Sequence, residues 1–294
     1  MTTPPTLRRL ATGLATALAL VATSTQAADL NARDFLTAPA GTSVGVLYLA
    51  NQQADRFHGA ADPEGRARLD VNALAYRQLW FSDVCGRLCT PQFILPLVEV
   101  DARLPGAAER ERQSGLGDPQ VGGTLFFIDR PESRTASGLL TLLTLPIGDY
   151  DSQRPGTSPG ANRWATTFVY NHTQGVGDDW ILEANLEAQL YGDNDDYLGM
   201  TLEQDPLYRL QAFASYDITS STYGALRLIH ARGGALHLEG QALDNTRQRY
   251  TQVGVELGYQ LTPRNQLMLA LSRNVDTDNA FHGSQALLRL AHVW

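Results

Sequence analysis

From residue 40 to the end of the chain, apolar and polar positions alternate with a period of two, in segments of about ten residues. Residues 180–191 state the pattern most plainly: Trp180, Leu182, Ala184, Leu186, Ala188 and Leu190 fall on one face, and Glu183, Asn185, Glu187 and Gln189 on the other. In 248–261, Thr251, Val253, Val255, Leu257, Tyr259 and Leu261 oppose Gln248, Tyr250, Gln252, Glu256 and Gln260. Successive side chains of a strand point to opposite faces, so each segment reads as a strand with one greasy and one wet side. Twelve strands are predicted, over 43–54, 66–80, 92–103, 118–129, 135–147, 162–172, 180–191, 207–217, 222–232, 248–261, 265–275 and 284–294.

The connections sort by parity. Those after even-numbered strands are short, as in 129–133, 219–221 and 262–264, while those after odd-numbered strands are long and polar, as in 148–161 and 192–206. The turn holding Cys85 and Cys89 is the one longer even-numbered connection. Alternating long and short connections between strands of this length predict an all-β fold, a twelve-stranded antiparallel transmembrane β-barrel over 41–294. Hydrocarbon offers a backbone no hydrogen-bond partner, so a sheet survives there only when closed, with an apolar outer face. A soluble sandwich or lipocalin-like barrel also alternates, but gives no reason for connections to sort by parity. The last residue, Trp294, shares a face with Leu288 and Leu290 and suits a membrane interface. An aromatic terminal strand is also a signal for barrel-assembly machinery, the expected folding partner.

Composition alone misleads, because 43% apolar and 18% charged residues look like a soluble domain. The 31 acidic residues face 23 basic ones, all Arg, and a net charge of −8 argues against a nucleic-acid binder. The charge-free apolar run over 10–22 is too short for the roughly 18 to 20 residues of a membrane helix, which excludes a helical multispan protein. With Arg8 and Arg9 before it and Thr25-Gln26-Ala27 after it, this run reads as the core of a secretory signal over 1–27, cleaved after Ala27. Residues 28–40 then form a short periplasmic N-terminal segment, and the mature chain, two arginines shorter, carries −10. The expected address is the outer membrane of a Gram-negative cell, with outer-membrane lipid as the surrounding partner. In that oxidising compartment Cys85 and Cys89 most simply close a small disulfide loop. Zinc would need further ligands, and redox thiols usually have a two-residue spacer.

Little else suggests chemistry. Two Gly-x-Ser-x-Gly matches, at 41–45 and 156–160, lack the helix that a nucleophile elbow requires. The six histidines, at 58, 172, 230, 237, 282 and 292, show no metal-ligand spacing. Asp193-Asn194-Asp195-Asp196 and Asp276-Thr277-Asp278-Asn279 lack the spacing of a calcium loop and read as solvated tips. No catalytic residue, metal or cofactor is expected. The polar faces nominate Glu99, Asp101, Glu183, Glu187, Arg209, Arg227, Glu256 and Arg289 as lumen-lining, with Leu95, Leu97, Phe213 and Tyr250 between them. Arg209 is expected near Gln189 and within diagonal reach of Glu187. These groups either guide a solute or fill the barrel with ion pairs. Twelve strands make a narrower barrel than an open porin, so a plug of side chains or an inward loop is expected.

Ser114-Gly115-Leu116-Gly117-Asp118-Pro119 before a strand, Leu145-Pro146-Ile147-Gly148-Asp149-Tyr150-Asp151 after one, and Asn162-Arg163-Trp164 carry a resemblance. Together with the barrel-like remainder they resemble the Putative MetA-pathway of phenol degradation family, outer-membrane channels distantly similar to long-chain fatty acid channels. The resemblance covers roughly 40–294 and brings no catalytic residues. It implies passive uptake of small hydrophobic or aromatic solutes. The alternatives are a barrel-embedded lipid hydrolase, for which His230 with Ser272 is the conceivable pair, and a structural or adhesive barrel with a blocked lumen.

Overall fold

A computed structural model describes residues 30–294. The expected signal sequence and its cleavage after Ala27 lie outside the described residues. The chain forms twelve long strands: β1 (Ser43–His58), β2 (Arg68–Trp80), β3 (Arg87–Arg103), β4 (Gln120–Arg130), β5 (Thr135–Thr144), β6 (Ala165–Val176), β7 (Trp180–Tyr191), β8 (Leu207–Thr219), β9 (Thr222–Gly233), β10 (Gln248–Thr262), β11 (Asn265–Asp278) and β12 (Ala280–Val293). Each pairs antiparallel with the next, and β12 pairs with β1 from Val44↔Val293 to His58↔Ala280, closing the barrel. Closure leaves no edge strand to expose backbone groups to lipid.

The outward face is the apolar set that the alternation predicts. Leu47, Leu74, Leu186, Leu210, Leu226, Val255, Leu257 and Leu271 are all exposed. At the short-turn end these give way to aromatic rings: Trp180 lies 4.9 Å from Tyr216, and Trp80 lies 5.9 Å from Phe93. Trp294 belongs to the same girdle, where rings with one polar and one apolar side settle. Its amide donates to the Ser43 carbonyl at 3.0 Å, and its ring lies over Gly45, where a Cβ would sit 2.6 Å from the indole. The absent side chain at Gly45 thus makes room for the terminal ring at the closing seam.

Three features depart from the strand list. Residues 276–278 and 280–283, left between two strands by the alternation, are strand instead. β11 and β12 run on to meet at Asn279, whose φ of 49° is the left-handed conformation that Asn tolerates. The loop after β3 folds back as a short strand, Glu111–Leu116, on the upper part of β3, from Ala102↔Glu111 to Leu97↔Leu116. The lower part of β3 pairs with β4. Lastly, Asn194–Tyr197, Met200–Gln204, Leu236–Leu238 and Gln241–Ala242 form a separate four-stranded sheet in the loops after β7 and β9. It is packed on its own core of Tyr197, Leu202 and Leu236. The acidic run 193–196 therefore lies largely within a strand rather than in a free tip.

Cys85 and Cys89 are free thiols rather than the expected disulfide. The hairpin register accounts for this: Val84 pairs with Arg87 and Ser82 with Cys89. Cys85 is left at the tip of a two-residue turn, with φ of 55° there and 76° at Gly86, while Cys89 lies further down the strand.

Candidate functional site in the barrel lumen

The lower lumen is occupied by the segment that precedes β1. Residues expected to form a short periplasmic stretch lie inside the barrel and run from Leu30 in the lumen down to Thr37 at the short-turn rim beside Asp129, and Leu30, Ala32 and Phe35 are buried in one cluster with Val46, Tyr48, Phe126, Val169, Phe213 and Met268. The polar lumen groups hold this segment. Glu256 accepts the Ala32 amide at 3.0 Å, and Glu183 accepts the Arg33 amide at 2.7 Å. Asp34 sits 2.5 Å from Arg289 and 3.8 Å from Arg77. Arg33 reaches Asp217 at 2.7 Å and lies over the Tyr223 ring at 4.1 Å. Arg33 and Asp34 thus present opposite charges to two separate sockets four strands apart around the barrel, on β8 and β12. Charges enclosed by protein need such partners.

Six of the eight predicted lumen residues, Glu183, Glu187, Arg209, Arg227, Glu256 and Arg289, are buried inside the barrel. Arg209 lies directly opposite Glu187, not diagonal to it, and Leu207 takes the place opposite Gln189. Arg209 Nε donates to Glu187 Oε1 at 2.8 Å, and Gln211 donates to the other carboxylate oxygen at 2.7 Å. Arg227 and Glu256 are 3.6 Å apart. The inward segment itself was not singled out by sequence reasoning. Its signal was Arg33-Asp34 set between Leu30 and Phe35, a charged pair inside an apolar frame.

Glu99 and Asp101 are corrected to the outer wall. On β3 the inward positions are Ile94, Val100 and Ala102, all buried, so Leu95, Leu97, Glu99 and Asp101 face outward. The face was misassigned because β3 carries apolar residues on both sides, which removes the alternation that would fix its orientation. Outside, Asn51 donates to Asn72 at 2.8 Å, Asn72 to Glu99 at 3.4 Å and Arg112 to Glu99 at 2.5 Å, while Arg110 pairs with Asp101. This polar ladder crosses β1, β2, β3 and the added strand just above Leu49, Leu74 and Leu97. A shallow cavity of about 680 Å³ opens between the ladder and the leucines.

The two motif stretches meet at the long-loop end. Asp118 accepts the amides of Gly148 at 2.9 Å and Ala161 at 2.7 Å, and Asp149 accepts the Leu116 amide at 2.7 Å while its own amide donates to the Leu116 carbonyl at 2.7 Å. Burial pushes the Asp118 carboxyl above its ordinary value, opposed by the two amide bonds and by Arg163. A Cβ on Gly148 would lie 2.7 Å from the Gly117 carbonyl carbon, so the close crossing requires glycine. Here the loop after β3 extends and ties the wall.

Above the inward segment, the lumen has an amide tier on β1, β10, β11 and β12: Gln52, Gln252, Asn274 and Gln285, all buried. Above this tier Ala54, Phe57, Leu69, Val71, Val100 and Phe281 form an apolar cluster, with the Phe57 and Phe281 rings 5.3 Å apart and edge to face. The hydrolase pair is separated by the wall. Ser272 faces inward and is buried, whereas His230 is exposed on the outer face and contacts Thr251 at 3.0 Å. Ser158 is engaged with the Asp151 amide at 3.0 Å in a short turn. Among the described residues no cluster of three or more metal-ligating side chains occurs.

The closed barrel with an inward N-terminal segment is similar to the COG4313 outer membrane channel from Pseudomonas putida F1. The two are 25% identical with a TM-score of 0.84, over 90% of this chain and 100% of that one. The β domain of the Bordetella autotransporter BrkA, 12% identical with a TM-score of 0.57, covers 87% of this chain and 100% of its own and shares the fold alone. No curated protein sequence matches the chain. The family model described as Putative MetA-pathway of phenol degradation matches residues 40–290, from the start of β1 to within three residues of the end of β12 and including both motif stretches, and the chain belongs to that family.

Proposed function

We propose that this protein is a passive channel of the outer membrane that admits small hydrophobic or aromatic compounds, with its N-terminal segment as the internal gate. The observation that carries the reading is the apolar cluster of the upper lumen, set above a floor closed by a peptide segment and not by the wall itself. A barrel serving only as a scaffold has no need of an inward apolar surface at its mouth, whereas a weakly polar solute gains by leaving water there. Passage then depends on displacement of residues 30–36, which are held by ion pairs and a few apolar contacts, while the strands keep their ladder. Outer-membrane lipid surrounds the apolar belt, and the Trp294 strand is the part offered to barrel-assembly machinery. The cleaved signal over 1–27 fits this route.

Proteoliposome swelling and planar bilayer recording test the channel. Wild-type protein is expected to conduct weakly. The Arg33→Gln, Asp34→Asn pair, which removes both charged anchors, is expected to raise mean conductance severalfold. Equal, near-zero conductance in both, with intact heat-modifiable migration on gels, would instead support a barrel with a permanently blocked lumen.

A further inference from the structure

The amide tier leaves an unusual set of groups without partners. The carbonyl oxygens of Gln52, Gln252, Asn274 and Gln285 are all buried, and none of the four accepts a hydrogen bond. Gln52 lies directly opposite Gln285 across the β1–β12 seam, and Gln252 lies opposite Asn274 between β10 and β11. Ser272, opposite Gln285 and two residues from Asn274 on β11, links the two pairs along the inner wall. Buried amide oxygens are normally satisfied, and four acceptors on adjoining strands present a strong demand for donors. No lumen arginine and none of the tier's own amide nitrogens reaches one of these four oxygens, and the Asn274 amide nitrogen donates instead to the Phe281 carbonyl at 2.9 Å.

The surroundings define what fits. Phe281, whose carbonyl anchors Asn274, forms the edge-to-face pair with Phe57, and Ala54 is the next inward residue after Gln52 on β1. Aromatic rings therefore stand directly above a shelf of acceptors. Building on the channel reading, we propose that Gln52, Gln252, Asn274 and Gln285 form a binding station for compounds that join one hydroxyl or amino donor to a small apolar or aromatic body. The apolar part lies against Phe57 and Phe281, and the donor satisfies the amide oxygens. A purely hydrocarbon solute leaves the shelf unpaired and binds less well, because a site with buried polar groups penalises the ligand that lacks their partner. The preference is thus for alcohols and amines over hydrocarbons and ethers of the same size.

The test is equilibrium binding of 4-bromobenzyl alcohol and 4-bromobenzyl methyl ether to the full chain in lipid nanodiscs, with empty nanodiscs subtracted. The ether keeps the ring and the oxygen acceptor and loses only the donor. The alcohol is expected to bind about fivefold tighter, the ratio that one buried hydrogen bond supplies. In the Gln52→Met, Gln285→Met variant, which keeps side-chain length without the amide, the ratio is expected to fall to near one. Should that variant lose its heat-modifiable fold, Gln252→Met alone is expected to reduce the ratio in part. Equal binding of the two compounds to wild type, which would mean that water alone serves these oxygens, overturns the proposal, as does a ratio unchanged in a folded variant. The channel reading is scored separately by solute flux. Discrimination without flux would leave the station standing and sink the channel, and flux without discrimination would do the reverse.

Discussion

At the scale of single residues, the chemistry inside the barrel is that of charges and amides taken out of water. Glu187 is the clearest case, receiving Arg209 directly across the strand pair and Gln211 from the same strand. Removing one partner strands the other charge, so Arg209→Leu is expected to cost about 3–5 kcal/mol. The loss should appear as a lowered temperature for disappearance of the fast-migrating folded band, and the Arg209→Leu, Glu187→Leu pair should recover much of it. Asp118 has a different task, tying two loop amides to the wall. Asp118→Asn replaces one acceptor oxygen with a donor facing a donor, at about 1–3 kcal/mol. Protease nicking within 145–161 on intact cells is the sensitive readout, and Gly148→Ala should give the same pattern for steric reasons. Alternation and composition placed Glu187 and Arg209 in the lumen, because their strands alternate cleanly. The same reasoning failed at Glu99 and Asp101, where both faces of β3 are apolar below them.

At the scale of elements, the informative piece is the segment from Leu30 to Phe35. It has neither strand alternation nor helical period, and its place comes from partners on distant strands, Glu183, Asp217, Glu256 and Arg289. Its two anchors differ in exposure. Asp34 and Arg289 are both enclosed, whereas Asp217 is open enough to be partly screened by solvent and is shared with Arg134. Asp34→Asn should therefore raise mean current in planar bilayers more than Arg33→Gln does. The reverse order would place the hinge of the segment at its other end. The turn at Asn279 belongs to this scale too: a single residue able to adopt positive φ lets β11 and β12 continue past the point where alternation fades. Polar residues there looked like a loop, yet two strands rising beyond the apolar belt have no reason to remain apolar outside.

At the scale of the whole molecule, the closing seam joins the first strand to the last, so closure depends on both ends of the sequence. Trp294 lies at that seam, over Gly45 and 4.7 Å from His292. Trp294→Ala is expected to leave refolding into detergent largely intact while lowering the amount of barrel in the outer membrane of expressing cells. Equal membrane levels would remove any role for the ring in assembly. Fold class, strand count and the outward face of every strand that alternates cleanly were settled by the sequence itself, because a period of two and alternating connection lengths are local properties that each segment carries independently. The family motifs were legible for the same reason. Register across β7 and β8, the face of β3, the free cysteines, the inward N-terminal segment and the four-amide shelf were decided only by the tertiary structure. Each of these depends on which residues of separate strands come to lie opposite one another, and that pairing is fixed by closure of the ring, a constraint that no single stretch of sequence contains.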